Sequence, residues 1–208
     1  LVAGLDPGID PGAPLAGSFA AHPGARIDGF TIVGASTGGG IVVNGYAEGL
    51  SISNNRVTAN NGTYNGGIRV GHPTLIAEVG DDLVYTDAMN DGVRIHHNHI
   101  AKNGGLGGAG GGISLHTGAD GYAVQKNWVC GNFTPGDGGG IGHLGLSDGG
   151  LIEDNYVIFN ESFAQGTPQA GGGIFVGGQT PLVLGGVTPG AGSVTIDANV
   201  IRGNLAGA

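Results

Sequence analysis

Apolar and polar residues alternate along short stretches of this chain, and the stretches recur in one frame. Leu50-Ser-Ile52-Ser-Asn-Asn55-Arg-Val57-Thr-Ala-Asn60 is repeated in kind at 93–103, 122–132, 150–160 and 194–204. With Ile52, Ile95, Val124, Ile152 and Ile196 as anchors, Asn follows at +3, an aliphatic residue at +5 and Asn again at +8. A weaker copy runs from Ile27, with Phe30, Ile32 and Ala35 at those places. Glycine runs end in Ile41, Ile68, Ile113, Ile141 and Ile174, after which apolar residues alternate again. Period two means strand with one face toward a core, and no i, i+3, i+4 stripe survives the glycines. From the glycine-run isoleucine to the next anchor the distance is 11 in three coils but 27 and 22 in the other two, which predicts loop insertions of 16 and 11 residues. Two or three short strands per turn, stacked on like strands of the next turn, make a parallel β-solenoid.

The two Asn columns, Asn55, Asn98, Asn127, Asn155, Asn199 and Asn60, Asn103, Asn132, Asn160, Asn204, read as ladders at bends. An inward carboxamide satisfies turn backbone and stacked neighbours together, and Asn itself tolerates the left-handed backbone of a sharp corner. The sequons at Asn132 and Asn160 fall on ladder positions. Glycine, 48 of 208 residues, lacks the three-residue period of collagen, and the fixed offsets of Ile and Val argue against a disordered tract.

Charge removes further classes. Seven Lys+Arg against 16 Asp+Glu, a formal −9, disfavours nucleic acid and anionic membrane as partners. No apolar run approaches the length of a membrane span, so membrane insertion is not expected. Cys130, the only cysteine, leaves no internal disulfide. A Gly- and Asn-rich acidic composition suggests a secreted, periplasmic or cell-surface location.

The spacing of aliphatic, Asn and aliphatic residues resembles the right-handed parallel β-helix of pectate-lyase-like folds, over roughly residues 25–204. The resemblance implies an all-β, single-stranded right-handed parallel β-helix of about six coils with two loop insertions. Residues 1–24 would be an irregular N-terminal segment and 25–208 the β-helix domain, continuing beyond the C-terminus. That family includes lyases, hydrolases, epimerases, adhesins and metal-handling accessory domains, so the resemblance does not choose a reaction. Its familiar catalytic patterns are incomplete: Gly142-His143-Leu144 lacks a final Gly, Gly80-Asp81-Asp82 lies in an insertion, and Asp-Pro-His-Asp is absent.

Function on a solenoid is sought on outward columns, because equivalent positions stack about 4.8 Å apart. One column holds Ser53, His96, Gln125, Glu153 and Asp197, and its neighbour Asn54, His97, Lys126, Asp154 and Ala198. His96, His97, Lys126, Glu153 and Asp154 are the candidates for proton abstraction beside a stabilising cation, as in a polysaccharide lyase, hydrolase or epimerase. A third column reads Arg56, His99, Trp128, Tyr156 and Val200, and His99, Trp128 and Tyr156 are the candidate ligand contacts, an apolar ledge for sugar rings. The alternative for the ledge is cover by the 72–91 insertion or a neighbouring domain. Seven histidines raise a metal reading, with His72, His97, His116 and His143 as copper or zinc candidates and Asp81 and Asp82 as calcium candidates. The leading expectation is an elongated module of a larger secreted or surface protein, binding polysaccharide or a neighbouring domain along its aromatic face.

Overall fold

The computed structural model describes residues 2–3, 24–72, 75–79, 82–178, 188 and 190–208, with backbone alone at 2–3, 76–79 and 82–85. Within them the chain is all-β: four sheets, each entirely parallel, stack the same part of successive coils, and a solenoid of five to six coils results. The anchor sheet comprises Arg26–Asp28, Ser51–Ser53, Arg94–His96, Ala123–Gln125, Gly150–Glu153 and Val194–Asp197. The aromatic sheet follows the first Asn, with Thr31–Val33, Arg56–Thr58, His99–Ala101, Trp128–Cys130, Tyr156–Ile158 and Val200–Arg202. Beyond the second Asn comes a short sheet of Asn61–Gly62, Gly104–Gly105, Phe133–Thr134, Glu161–Phe163 and Leu205–Gly207. The glycine sheet completes each turn with Ile41–Val43, Ile68–Val70, Ile113–His116, Ile141–Leu144 and Ile174–Gly177, and Val2–Ala3 extends it beside Ile41–Val43.

The predicted register holds: Ile27, Ile52, Ile95, Val124, Ile152 and Ile196 pair in sequence down the anchor sheet. These anchors, with Val57, Ile100, Val129 and Val157 of the aromatic sheet and the isoleucines of the glycine sheet, form one continuous core. The glycines before those isoleucines are required by close approach. A Cβ on Gly112 would meet the Gly140 carbonyl at 2.7 Å and the Val129 side chain at 2.9 Å, tighter than real contacts allow.

The ladders repeat one unit. Asn98 Oδ1 accepts from the Asn55 N–H at 2.9 Å and from Asn55 Nδ2 at 3.0 Å. Its own Nδ2 donates to the Ile52 carbonyl at 2.8 Å and to Asn127 Oδ1 at 3.0 Å. Asn55, Asn98, Asn127, Asn155 and Asn199 are so linked in series, as are Asn60, Asn103, Asn132, Asn160 and Asn204. Full burial in the inner coils makes these bonds obligatory, and it also closes the Asn132 and Asn160 sequons to modification.

Three features differ from the sequence reading. The left-handed residue at each corner is the one before the Asn: φ is 54° at Asn54, 56° at His97, 54° at Lys126, 56° at Asp154 and 51° at Ala198. The Asn thus bridges a corner that its predecessor turns. The inner coils have four strands rather than two or three, because the short sheet is two or three residues wide and Gly-rich, leaving no alternation to read. The first insertion contains an antiparallel ribbon, Ile76–Val79 against Asp82–Tyr85, with Asp82 opposite Val79. Of the second insertion, residues 179–187 and 189 lie outside the described residues, as do 4–23 of the N-terminal segment.

Candidate functional site

The aromatic column stands where the repeat frame places it. Thr31, Arg56, His99, Trp128, Tyr156 and Val200 pair in register on successive strands. Inward neighbours such as Val129 and Val157 are fully buried, so period two turns the column outward. Trp128 and Tyr156 stack with ring centroids 5.3 Å apart and planes 28° from parallel. Their exposures are 40 and 49 %, so the described residues leave both rings open. Each ring spends one face on the other and keeps its exposed part open to a ligand. Val200 continues the apolar surface at 45 % exposure, while exposed His99 and Arg56 supply polar neighbours on the other side. Such an arrangement can bind the apolar face of a sugar ring, with hydrogen bonds from the flanking polar groups.

The two columns bring the catalytic candidates to neighbouring coils, where His96, His97 and Glu153 are held by hydrogen bonds. His96 Nε2 is 3.1 Å from Ser51 Oγ, and its Nδ1 is 3.0 Å from His97 Nδ1, the rings meeting edge to face at 5.2 Å. Partial burial, then the His97 and Arg94 charges, push the His96 pKa down, so the pair disfavours double protonation. Asp28, in the same column, accepts from Ser53 Oγ at 2.7 Å and Asn54 Nδ2 at 2.8 Å, and these bonds hold its carboxyl below the usual range. Gln125 Nε2 donates to Glu153 Oε2 at 2.8 Å. Lys126 and Asp154 occupy left-handed corner places with exposed side chains.

Of the histidines named for metal, His72, His116 and His143 lie on neighbouring coils at the glycine sheet, near enough for His72 and His143 to act on His116, while His97 stands apart. His143 points into the core: Tyr122 O–H donates to its Nδ1 at 2.9 Å, and its Nε2–H donates to the Gly145 and Ala191 carbonyls at 2.8 and 3.0 Å. Burial drives its pKa down and keeps the ring neutral. His116 is outward yet buried beside Ser114, His72 neighbours the Tyr64 ring, and His97 is at a corner of another sheet. Asp81 lies outside the described residues, and Asp82 is described by its strand backbone alone. Among the described residues no three His, Cys, Asp or Glu side chains converge in a metal-binding group.

One column escaped the sequence reading. Glu48, Asp91, Asp120 and Asp148 stand four places before their anchors, each followed by a left-handed glycine. Asp91 Oδ1 accepts from the Asp120 N–H at 3.2 Å, and Asp120 Oδ1 from the Asp148 N–H at 2.7 Å. The carboxylates cap the turn of the next coil, and the recurring acidic-Gly dipeptide was the available signal. Burial, then Asp87 and Asp120, raise the Asp91 pKa.

These features define a class: a parallel β-solenoid with two buried Asn ladders and one exposed aromatic stack. Compared with family models, curated proteins and solved structures, the chain matches none. Among the described residues no helix is long and apolar enough to cross a membrane.

Proposed function

We propose that this chain is an elongated binding module of a larger secreted or cell-surface protein, whose aromatic sheet carries a platform for polysaccharide. The single observation supporting this reading is the exposed Trp128–Tyr156 stack. Two large aromatic rings in register on a rigid parallel sheet need no ordering on binding, which lowers the entropic cost of holding a sugar. His99 and Arg56 supply hydrogen-bonding partners along the same line. An acidic chain favours neutral glycans over uronates. The coil sense is taken as right-handed, of the pectate-lyase-like kind, as is usual for parallel crossovers.

Retardation in native gels containing neutral polysaccharides tests the platform. Trp128→Ala is expected to weaken retention about tenfold, the worth of roughly 1–2 kcal/mol of stacking. Retention by the native chain that is equal in Trp128→Ala and Tyr156→Ala would remove the aromatic column from the reading. Appearance of new reducing ends or unsaturated sugar on incubation would favour the enzymatic alternative at His96 and His97.

A further inference from the structure

The outward side of the glycine sheet holds a cation that the aromatic column does not involve. Arg69 pairs in register with Ser114 of the next coil, and His116 lies two residues beyond Ser114 on the same strand. Outward positions on this solenoid are ordinarily open, but Ser114 and His116 are 0 and 1 % exposed and Arg69 is half-buried. The segment around Ala109 closes over Ser114. Ser114 Oγ donates to the Ala109 carbonyl, and a Cβ on Gly142, next down the column, would run into the Ala109 backbone at 2.6 Å. Tyr64 lies beneath the guanidinium, its ring centroid 5.7 Å from Arg69 Cζ.

One polar donor in this cluster lacks a partner: Arg69 Nε is shielded from solvent and makes no hydrogen bond, whereas the buried His116 ring has Ser114 Oγ and the Leu144 backbone beside it. His116 Nε2 is used by Ser114 Oγ at 2.7 Å. The charge on Arg69 also lacks a counter-ion: among the described residues its electrostatic neighbours are the Tyr64 ring and the neutral His116. A half-buried guanidinium with an unmet inner N–H is costly, and folded chains almost always pair it. Lysine would leave no such fork, whereas arginine offers planar N–H donors matched to an oxyanion. An unmet buried donor beside an unbalanced positive charge is the mark of a missing anion.

We propose that Arg69 anchors an oxyanion site on the glycine sheet, taking a carboxylate or phosphate group, with Nε–H as inner donor and the Tyr64 ring as the platform under the guanidinium. Ser114 and His116 form its floor. The anion is either a free inorganic ion or the acidic group of a larger ligand, and the chemistry of recognition is the same for both.

The test follows the Arg69 Nε–H resonance in 15N-edited NMR of the native chain, identified by its loss in Arg69→Lys. Sodium phosphate, sodium acetate and sodium chloride are titrated at matched ionic strength. A saturable shift with phosphate or acetate, half-complete in the low millimolar range or below, is expected, and none with chloride. Response to phosphate alone assigns a free or ligand-borne phosphate, and response to acetate assigns a carboxylate. Thermal unfolding supplies a second readout: the responding anion raises the midpoint of the native chain above that in chloride, and Arg69→Gln weakens binding at least tenfold. Equal, non-saturating shifts in all three salts, or an unchanged gain in Arg69→Gln, would overturn the proposal. Neutral glycans do not enter the readout, so its outcome is separate from that of the aromatic platform.

Discussion

Replacing Asn127 by Ala measures what the ladders contribute. The carboxamide makes four bonds: Nδ2 to the Ile95 carbonyl at 2.8 Å and to Asn155 Oδ1 at 3.0 Å, and Oδ1 from the Asn98 N–H and Nδ2 at 3.0 Å each. Each is worth about 1 kcal/mol net, and stranding the buried Asn98 N–H adds about 1 kcal/mol more because no water reaches it. The expected loss is therefore about 4–5 kcal/mol. Asn199→Ala removes a comparable set, to Asn155 and to the Ile152 and Asp197 carbonyls, but in the last coil, where Asn199 is only half-buried. Water replaces part of what is lost there, and about 1–2 kcal/mol is expected. Urea unfolding followed by fluorescence of Trp128, the only tryptophan, reports directly beside the ladder, and circular dichroism checks that the whole solenoid melts together. Equal costs for the two variants, or a cost below about 1 kcal/mol for Asn127→Ala, would refute the reasoning that burial makes the ladder bonds obligatory.

Two more predictions concern backbone strain and acid. Ala59 is exposed with φ of 53°, so Ala59→Gly is expected to raise stability by up to about 1 kcal/mol in the same urea assay, and a loss would contradict the cost assigned to the left-handed corner. Burial, with a smaller effect from Arg69, pushes the His116 pKa from 6.5 down to about 3. The unfolded chain takes that proton first, so stability is whole above pH about 6.5 and falls by roughly 1.4 kcal/mol per pH unit below it, until the folded-state pKa is reached. His116→Gln should flatten the decline between pH about 6.5 and 4.5, above the range where most carboxylates titrate; an unchanged slope would show that His116 does not carry it.

The register was legible because one-residue errors in a strand invert every side chain. Ile52, Ile95, Val124, Ile152 and Ile196 fixed the inward face, and the outward columns followed from counting. Counting does not reveal backbone sign. Asn54, His97, Lys126, Asp154 and Ala198 share no side-chain chemistry, so nothing marked their place as the left-handed one until the corners were seen. Nor did it reveal cover. Arg69, Ser114 and His116 occupy outward places by period two, and their cover shows only in the fold, where the Ala109 segment closes over Ser114 and Tyr64 lies beneath Arg69. The ribbon at 76–85 had a signal, Gly-Asp between two apolar runs, but the longer repeat drew it into a loop.

The placement of the two candidate surfaces bears on the kind of function this solenoid can have. Trp128 and Tyr156 project from the aromatic sheet, Arg69 from the glycine sheet, and the inward residues of both sheets, Val129, Val157, Ile68 and Val70, meet in the core between them. Outward columns of different sheets diverge from that core, so one small substrate does not touch the stack and the guanidinium together. A polymer that wraps the coils, or two ligands, can. Beside the aromatic column, His96 and His97 are engaged with Ser51 and with one another, and Glu153 accepts from Gln125, while Lys126 and Asp154 stand exposed at corners of the coils. Separated recognition elements on a rigid axis favour extended binding over chemistry at one point, which is why the polysaccharide platform is preferred to the enzymatic alternative.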